Sequence, residues 1–170
     1  MVGGNTAFVD NPSLTDRSGK KRRRKLVRVI LDNRLQIPES STLVQTAGET
    51  PTLIITNSNN ETKIETLSSF GVDVARSDAR DLKSVLEELR KRGLQSVLVE
   101  GGNEIAGAFV EAKLIDKVSF FYAPLIIGGS FAPNAIGGKG VNNLDEAFRL
   151  KDIEIIKHSE DFEITGYPFL

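Results

Sequence analysis

Apolar positions along this chain alternate between short continuous runs and runs at helical spacing, and the alternation is the first clue to its fold. "KLVRVIL" at 25–31 is rich in β-branched and aliphatic residues and closes at the turn signal "DNR", so it predicts a strand. "TLIIT" at 52–56 predicts a second, and Asn57, Ser58 and Asn59 then offer caps for a helix over 60–69. Ile64, Leu67 and Phe70 repeat there at helical spacing, and Gly71 stands where helices end. "VDVARS" predicts a short third strand. Asp78 or Asp81 can cap the next helix, whose apolar face is Leu82, Val85, Leu86 and Leu89, and Gly93 stops it. "SVLVE" at 96–100 is a continuous apolar run ending in a carboxylate, which predicts a strand covered on both faces. After Gly101 and Gly102, Ile105, Ala108, Phe109 and Ala112 recur at helical spacing, and "KVSFFYAPLII" at 117–127 predicts a strand again.

This rhythm predicts an α/β domain whose central sheet is largely parallel. The end of the chain differs. Strand-like runs near 150–157 and 161–166, separated by a polar turn, predict an antiparallel hairpin added to that sheet. Between lies "GGSFAPNAIGGKGVNNLDEAF", a glycine-rich stretch of poor periodicity that suits a functional or mobile loop.

Composition narrows the classes. The 170 residues are 39% hydrophobic and 26% charged, which suits one globular domain over 1–170. A formal net charge of −1 gives no general reason to bind nucleic acid or an anionic membrane. The one basic run, "GKKRRRK" at 19–25, reads as a solvated loop. With no cysteine there is no disulfide, thiolate metal site or cysteine nucleophile. A single histidine, His158, leaves no basis for a histidine metal cluster or a Ser-His-Asp triad, and no metal is expected. No apolar run is long enough to span a bilayer and no signal-peptide pattern opens the chain, so the expected compartment is the cytoplasm.

The candidate chemistry sits at "EGGNE". A helix that starts just after a strand presents unpaired N–H groups and the positive end of its dipole, and glycine removes the Cβ atoms that would keep a phosphate away. A plain glycine turn at a strand–helix corner would use the same residues. The pattern is neither G-x-G-x-x-G nor a P-loop. Glu100, at a strand's carboxyl end, stands where α/β sheets bind ligands and could accept hydrogen bonds from substrate hydroxyls. At the amino end, Asp10-Asn11-Pro12 predicts a turn, Thr6 could begin a short helix, and Arg17 offers a planar fork for a phosphate, or an ordinary surface arginine.

Taken in order, "VGGNTAFVDNPSLTDR", "VRVILDNRLQIP", "VLVEGGNEIAGAFVEAKLIDKVSFFYAPLIIGG" and "FEITGYP" resemble the reductase domain of riboflavin biosynthesis, the C-terminal half of a bifunctional deaminase-reductase. The resemblance runs through nearly the whole chain. It implies a dihydrofolate-reductase-like, three-layer fold: a mostly parallel sheet flanked by helices, with a C-terminal antiparallel hairpin. It implies that NADPH delivers hydride to the ribosyl C1′ of 5-amino-6-(5-phosphoribosylamino)uracil. Carried over, Thr6, Asp10 and Asn33 fall at cofactor-contacting positions, as do Gly102, Asn103, Glu104, Ile105, Ala106, Gly107 and Ala108. Leu14, Arg17 and Glu100 fall at substrate-contacting positions, with Glu100 also the candidate catalytic group.

Family members carry a strand, turn and helix before "VGG", so the chain is expected to be N-terminally truncated relative to them. Homodimers are common in the family, and a deaminase domain or protein is the expected functional neighbour. Two other readings remain open at this point. The same domain could reduce the diaminopyrimidinone analogue, or the chain could be an inactive remnant that binds nucleotide or a partner.

Overall fold

A computed structural model describes residues 1–21, 23–132 and 134–169. Arg22 of the basic run and Pro133 of the glycine-rich loop lie outside the described residues. The chain separates into two compact units, Met1–Ile105 and Ala106–Leu170.

The first unit holds a four-stranded, all-parallel sheet in the order β1-β2-β3-β4. Its strands are β1 (Val2–Gly3), β2 (Arg28–Leu31), β3 (Thr52–Thr56) and β4 (Asp73–Arg76). The helices are α1 (Gly4–Asp10), α2 (Thr42–Gln45), α3 (Glu61–Ser69) and α4 (Leu82–Lys91). Every residue of β2 and β3 is buried, as a strand covered on both faces requires. Ala7, Ile30, Leu43, Val44, Ile54 and Leu67 share one core cluster.

Local chemistry sets the element ends. The Asn60 side chain accepts from Lys63 N–H to start α3, and Asp81 does the same from Ser84 to start α4, so Asp81 and not Asp78 is the cap. Both helices close in the same way. Gly71 N–H donates to Ser68 O and Val72 N–H to Leu67 O, while Gly93 N–H donates to Arg90 O and Leu94 N–H to Leu89 O. The two glycines carry φ of 87° and 75°, the left-handed region such closures need.

Two expectations are corrected in this unit, and one element is added. The short amino-terminal helix starts at Gly4, directly after β1, and not at Thr6. The α2 turn, capped by Ser41, was not anticipated, because four residues are too few to show a periodicity. Residues 96–100 form no regular strand and are not covered on both faces: Leu98 is 71% exposed and Glu100 is exposed. What remains of a strand there is one parallel-type pairing, in which the Met1 ammonium donates to Leu98 O at 2.7 Å and Glu100 N–H donates to Met1 O at 2.9 Å.

The second unit is a three-stranded antiparallel sheet in the order β5-β7-β6. It comprises β5 (Val118–Tyr122), β6 (Leu150–His158) and β7 (Asp161–Pro168). The predicted hairpin is therefore present, with His158 opposite Asp161 and a bulge between Lys151 and Glu154 where Asp152 takes a φ of 52°. Two features differ from expectation. The hairpin and β5 pair as their own antiparallel sheet, with no parallel strand in it. The strand predicted over 117–127 stops at Tyr122, and Leu125, Ile126 and Ile127 are exposed outside any strand.

Helix α5 (Asn103–Glu111) carries the chain from one unit to the next. Within the second unit its Gly107 is buried, and a Cβ there would lie 2.4 Å from Gly137 O. Lys139 N–H donates to Glu111 Oε1 beside it, at 2.5 Å.

Candidate active site

In the first unit two glycine-opened helices begin near one another. Helix α1 follows β1 with no intervening loop, and α5 follows the 96–100 segment after Gly101 and Gly102. The Gly102 N–H donates to Thr6 Oγ1 at 3.2 Å, which joins the two junctions. The first-turn amides of each helix have no intrahelical acceptor, and the dipoles add positive potential at both starts.

The glycines do separate work. A Cβ on Gly101 would lie 2.1 Å from Ile105 Cγ2, so this position is bare because Ile105 folds back against it. A Cβ on Gly4 would lie 2.9 Å from Asp32 Cγ. That buried carboxylate accepts from Ile37 N–H at 3.0 Å and Arg34 N–H at 3.2 Å, and it holds the loop after β2. Gly102 differs: it is exposed, and its nearest neighbour for a Cβ is Thr6 Oγ1 at 3.4 Å, an ordinary contact. Nothing inside the fold forbids a side chain at Gly102. Its bareness leaves the amides of Asn103, Glu104 and Ile105 open to an approaching group.

Asp10 lies four residues after Thr6 and so shares its face of α1. Asn11 ends the helix with a φ of 42° and accepts from Thr42 N–H at 2.8 Å, which fixes where Asp10 sits. Asn33 is engaged by protein. Its Oδ1 accepts from Ala79 N–H at 2.8 Å and Asn57 N–H at 3.3 Å, and its Nδ2 donates to Asp78 Oδ1 at 2.6 Å. It ties the loops after β3 and β4 to the end of β2. The run 102–108 divides: Gly102, Asn103, Glu104 and Ile105 belong to the first unit, Ala106, Gly107 and Ala108 to the second. Gly107 is bare for packing against Gly137.

Leu14, Arg17 and Glu100 line a single cleft of about 560 Å³ in the first unit, together with Arg24, Lys25 and Met1. Leu14 takes a φ of 47° and packs its side chain against the core cluster. Arg17 is exposed and donates through Nη2 to Ser13 Oγ at 3.3 Å. Burial pushes the pKa of the Met1 ammonium below its ordinary value, and the negative Glu100 carboxylate opposes that shift.

Arg28 escaped the sequence reading. It is 2% exposed, and all five of its N–H groups find neutral oxygens. The signal was legible: a lone cation inside "LVRVIL" has to be fully satisfied if its strand is buried. Burial lowers its pKa from the ordinary arginine value, and the Glu49 carboxylate opposes that.

The Gly102 corner fits the diphosphate of a dinucleotide, since it pairs an unencumbered helix start with the Thr6 hydroxyl. Among the described residues no group of His, Cys, Asp and Glu could hold a metal ion, and no helix is long and apolar enough to cross a membrane.

Comparison with known proteins gives the family. The chain is 36% identical over 171 residues to riboflavin biosynthesis protein RibD of Bacillus amyloliquefaciens, covering 99% of this chain and 46% of that protein. It therefore spans about half the length of that relative. It is 32% identical over 154 residues to the 2,5-diamino-6-ribosylamino-4(3H)-pyrimidinone 5′-phosphate reductase of Aquifex aeolicus, covering 89% of this chain and 67% of that one. Among solved structures, the deaminase/5-amino-6-(5-phosphoribosylamino)uracil reductase of Thermotoga maritima superposes with a TM-score of 0.77 at 25% identity, over 98% of this chain and 44% of that one. RibD of Acinetobacter baumannii, at 23% identity and a TM-score of 0.78, shares the fold. The model of the RibD C-terminal domain matches residues 1–163, and the chain belongs to that family.

Proposed function

We propose that the chain is the reductase part of a riboflavin-pathway enzyme, reducing the ribosyl group of 5-amino-6-(5-phosphoribosylamino)uracil with NADPH. The observation that carries this reading is the Gly102–Thr6 corner, where two helix starts meet at a glycine that no internal packing requires. The names and sequence similarity of the reductase relatives support it.

In this reading Gly102 gives the diphosphate close approach, Asn103, Glu104 and Ile105 offer it backbone N–H groups, and Thr6 and Asp10 contact the rest of the cofactor from one face of α1. When bound, the reduced nicotinamide supplies the hydride; most of the acceleration then comes from holding the two reactants in register. Arg17 gives the substrate phosphate a charge-assisted, forked partner. Leu14 supplies an apolar wall to the same cleft. The Glu100 carboxylate orients ribose hydroxyls and opposes the positive charge that develops at the ribosylamine nitrogen as the sugar ring opens. Of the other family positions, Asn33 holds the loops after β3 and β4 to the end of β2, and Ala106, Gly107 and Ala108 continue helix α5. The reaction belongs in the cytoplasm in this reading, and a homodimer with a deaminase domain or protein upstream is its expected setting.

The test is consumption of NADPH with each substrate. Turnover of the uracil substrate, lost about 100-fold in Glu100→Gln, is the expected result. The Aquifex relative, of which the chain covers two thirds, favours a second substrate, the diaminopyrimidinone 5′-phosphate. Faster turnover of that compound would reassign the pyrimidine. No NADPH protection against thermal unfolding and no turnover of either would leave an inactive remnant whose role is to bind a partner.

A further inference from the structure

We infer that Arg28 is a positioning residue for the substrate end of the site, acting through Ser13 on Leu14 and Arg17. This rests on the reading of Leu14 and Arg17 as substrate-contacting.

The guanidinium is buried, and no carboxylate is among its hydrogen-bond partners. Nε donates to Thr52 Oγ1 at 3.0 Å. Nη1 donates to Ser13 O at 3.1 Å and Thr46 Oγ1 at 2.8 Å. Nη2 donates to Leu43 O at 3.0 Å, Thr50 O at 2.9 Å and Thr52 Oγ1 at 2.7 Å. A buried cation held wholly by neutral oxygens is an expensive way to build a core, and an aliphatic residue would fill the strand position without that desolvation. Five of the six bonds tie α2, the 46–52 turn and β3 together. The sixth, to Ser13 O, reaches the loop that carries the substrate residues.

Ser13 receives two arginines. Its carbonyl accepts from Arg28 inside the fold, and its hydroxyl accepts from Arg17 Nη2 at 3.3 Å outside it. The next residue, Leu14, holds a φ of 47°, a conformation that a leucine keeps only when its surroundings fix both sides of it. The Arg28 bond fixes one side and packing of the Leu14 side chain against the core fixes the other. Release of the Ser13 carbonyl frees Leu14 to relax to negative φ, which swings Arg17 away from the cleft. Lysine cannot replace arginine here, because an ammonium has three donors on one atom and cannot span five acceptors.

The experiment compares the full chain with Arg28→Lys by hydrogen exchange and by steady-state kinetics. Exchange of the 13–17 amides should rise by about tenfold or more while the β3 amides stay within about threefold. KM for the pyrimidine should rise by about tenfold, with kcat and NADPH affinity changed by less than about threefold. Equal exchange changes in the loop and in β3, or a loss of NADPH affinity as large as the rise in KM, overturns the proposal. Should Arg28→Lys fail to fold, Thr46→Val removes one acceptor from Nη1, and a smaller rise confined to the same loop is expected; an unchanged loop overturns the proposal. If the wild-type chain turns over no substrate, that failure belongs to the functional reading, and the exchange comparison still decides the link from Arg28 to the loop.

Discussion

Strands β3 and β6 come from runs of similar aliphatic content, "TLIIT" and "DIEIIK", yet they meet opposite environments. All five residues of β3 are buried between parallel neighbours β2 and β4. In β6 every residue after Leu150 is exposed, and the strand is held by its backbone ladder to β7. The difference is one of interruption. A run with no charged residue can be covered on both faces, whereas Asp152, Glu154 and Lys157 break the β6 run and keep its faces in water. Stability in the parallel sheet thus resides in side chains, and in the antiparallel sheet largely in backbone pairing.

The sharpest way to break this contrast is a matched pair of truncations. Ile54→Ala in β3 should cost about 2–5 kcal/mol in denaturant unfolding, and Ile155→Ala in β6 less than about 0.5 kcal/mol. A second pair separates packing glycines from the site glycine. Gly107→Ala drives a methyl into Gly137 O and should cost about 1–3 kcal/mol, while Gly102→Ala meets only an ordinary contact and should stay within about 0.5 kcal/mol. Ser41→Ala removes the α2 cap and should cost about 1 kcal/mol, detected as a lower unfolding midpoint.

The smallest effect is the acid titration of the α4 start. The Asp78 pKa is lowered first by the Arg80 N–H and then by the Asn33 amide, and that of Asp81 by the Ser84 hydroxyl and N–H. Both folded values lie below the unfolded value of about 3.9. Their stabilisation is therefore complete above that value and is lost as pH falls through the folded values. Asp81→Asn should flatten the acid limb of a stability–pH profile there, and an unchanged limb would remove Asp81 from the account.

Much of the first unit was legible because its elements announce themselves locally. "TLIIT" matched β3 residue for residue, and Gly71, Asp81 and Gly93 fixed helix ends through a side-chain cap or left-handed φ, whereas the cap expected among Asn57, Ser58 and Asn59 falls on Asn60, one residue later. The failures share a physical cause. Residues 96–100 and 123–127 have strand composition, but a strand needs a partner's backbone, and pairing is not written in the run itself. The glycine corner was legible as a possibility only. That Gly101 and Gly107 serve packing while Gly102 does not depends on Ile105 and Gly137, contacts that only the fold reveals. Arg28 was overlooked because its five partners come from four separate stretches of chain.

The central claim is that the helix start left open beside Gly102 and the Thr6 hydroxyl form a dinucleotide corner, and calorimetric titration of NADPH into the wild-type chain and Gly102→Val tests it most directly. Binding by the wild type, weakened by about tenfold or more in a variant whose unliganded unfolding midpoint is nearly unchanged, is the predicted result. Equal affinity in the two proteins would contradict it.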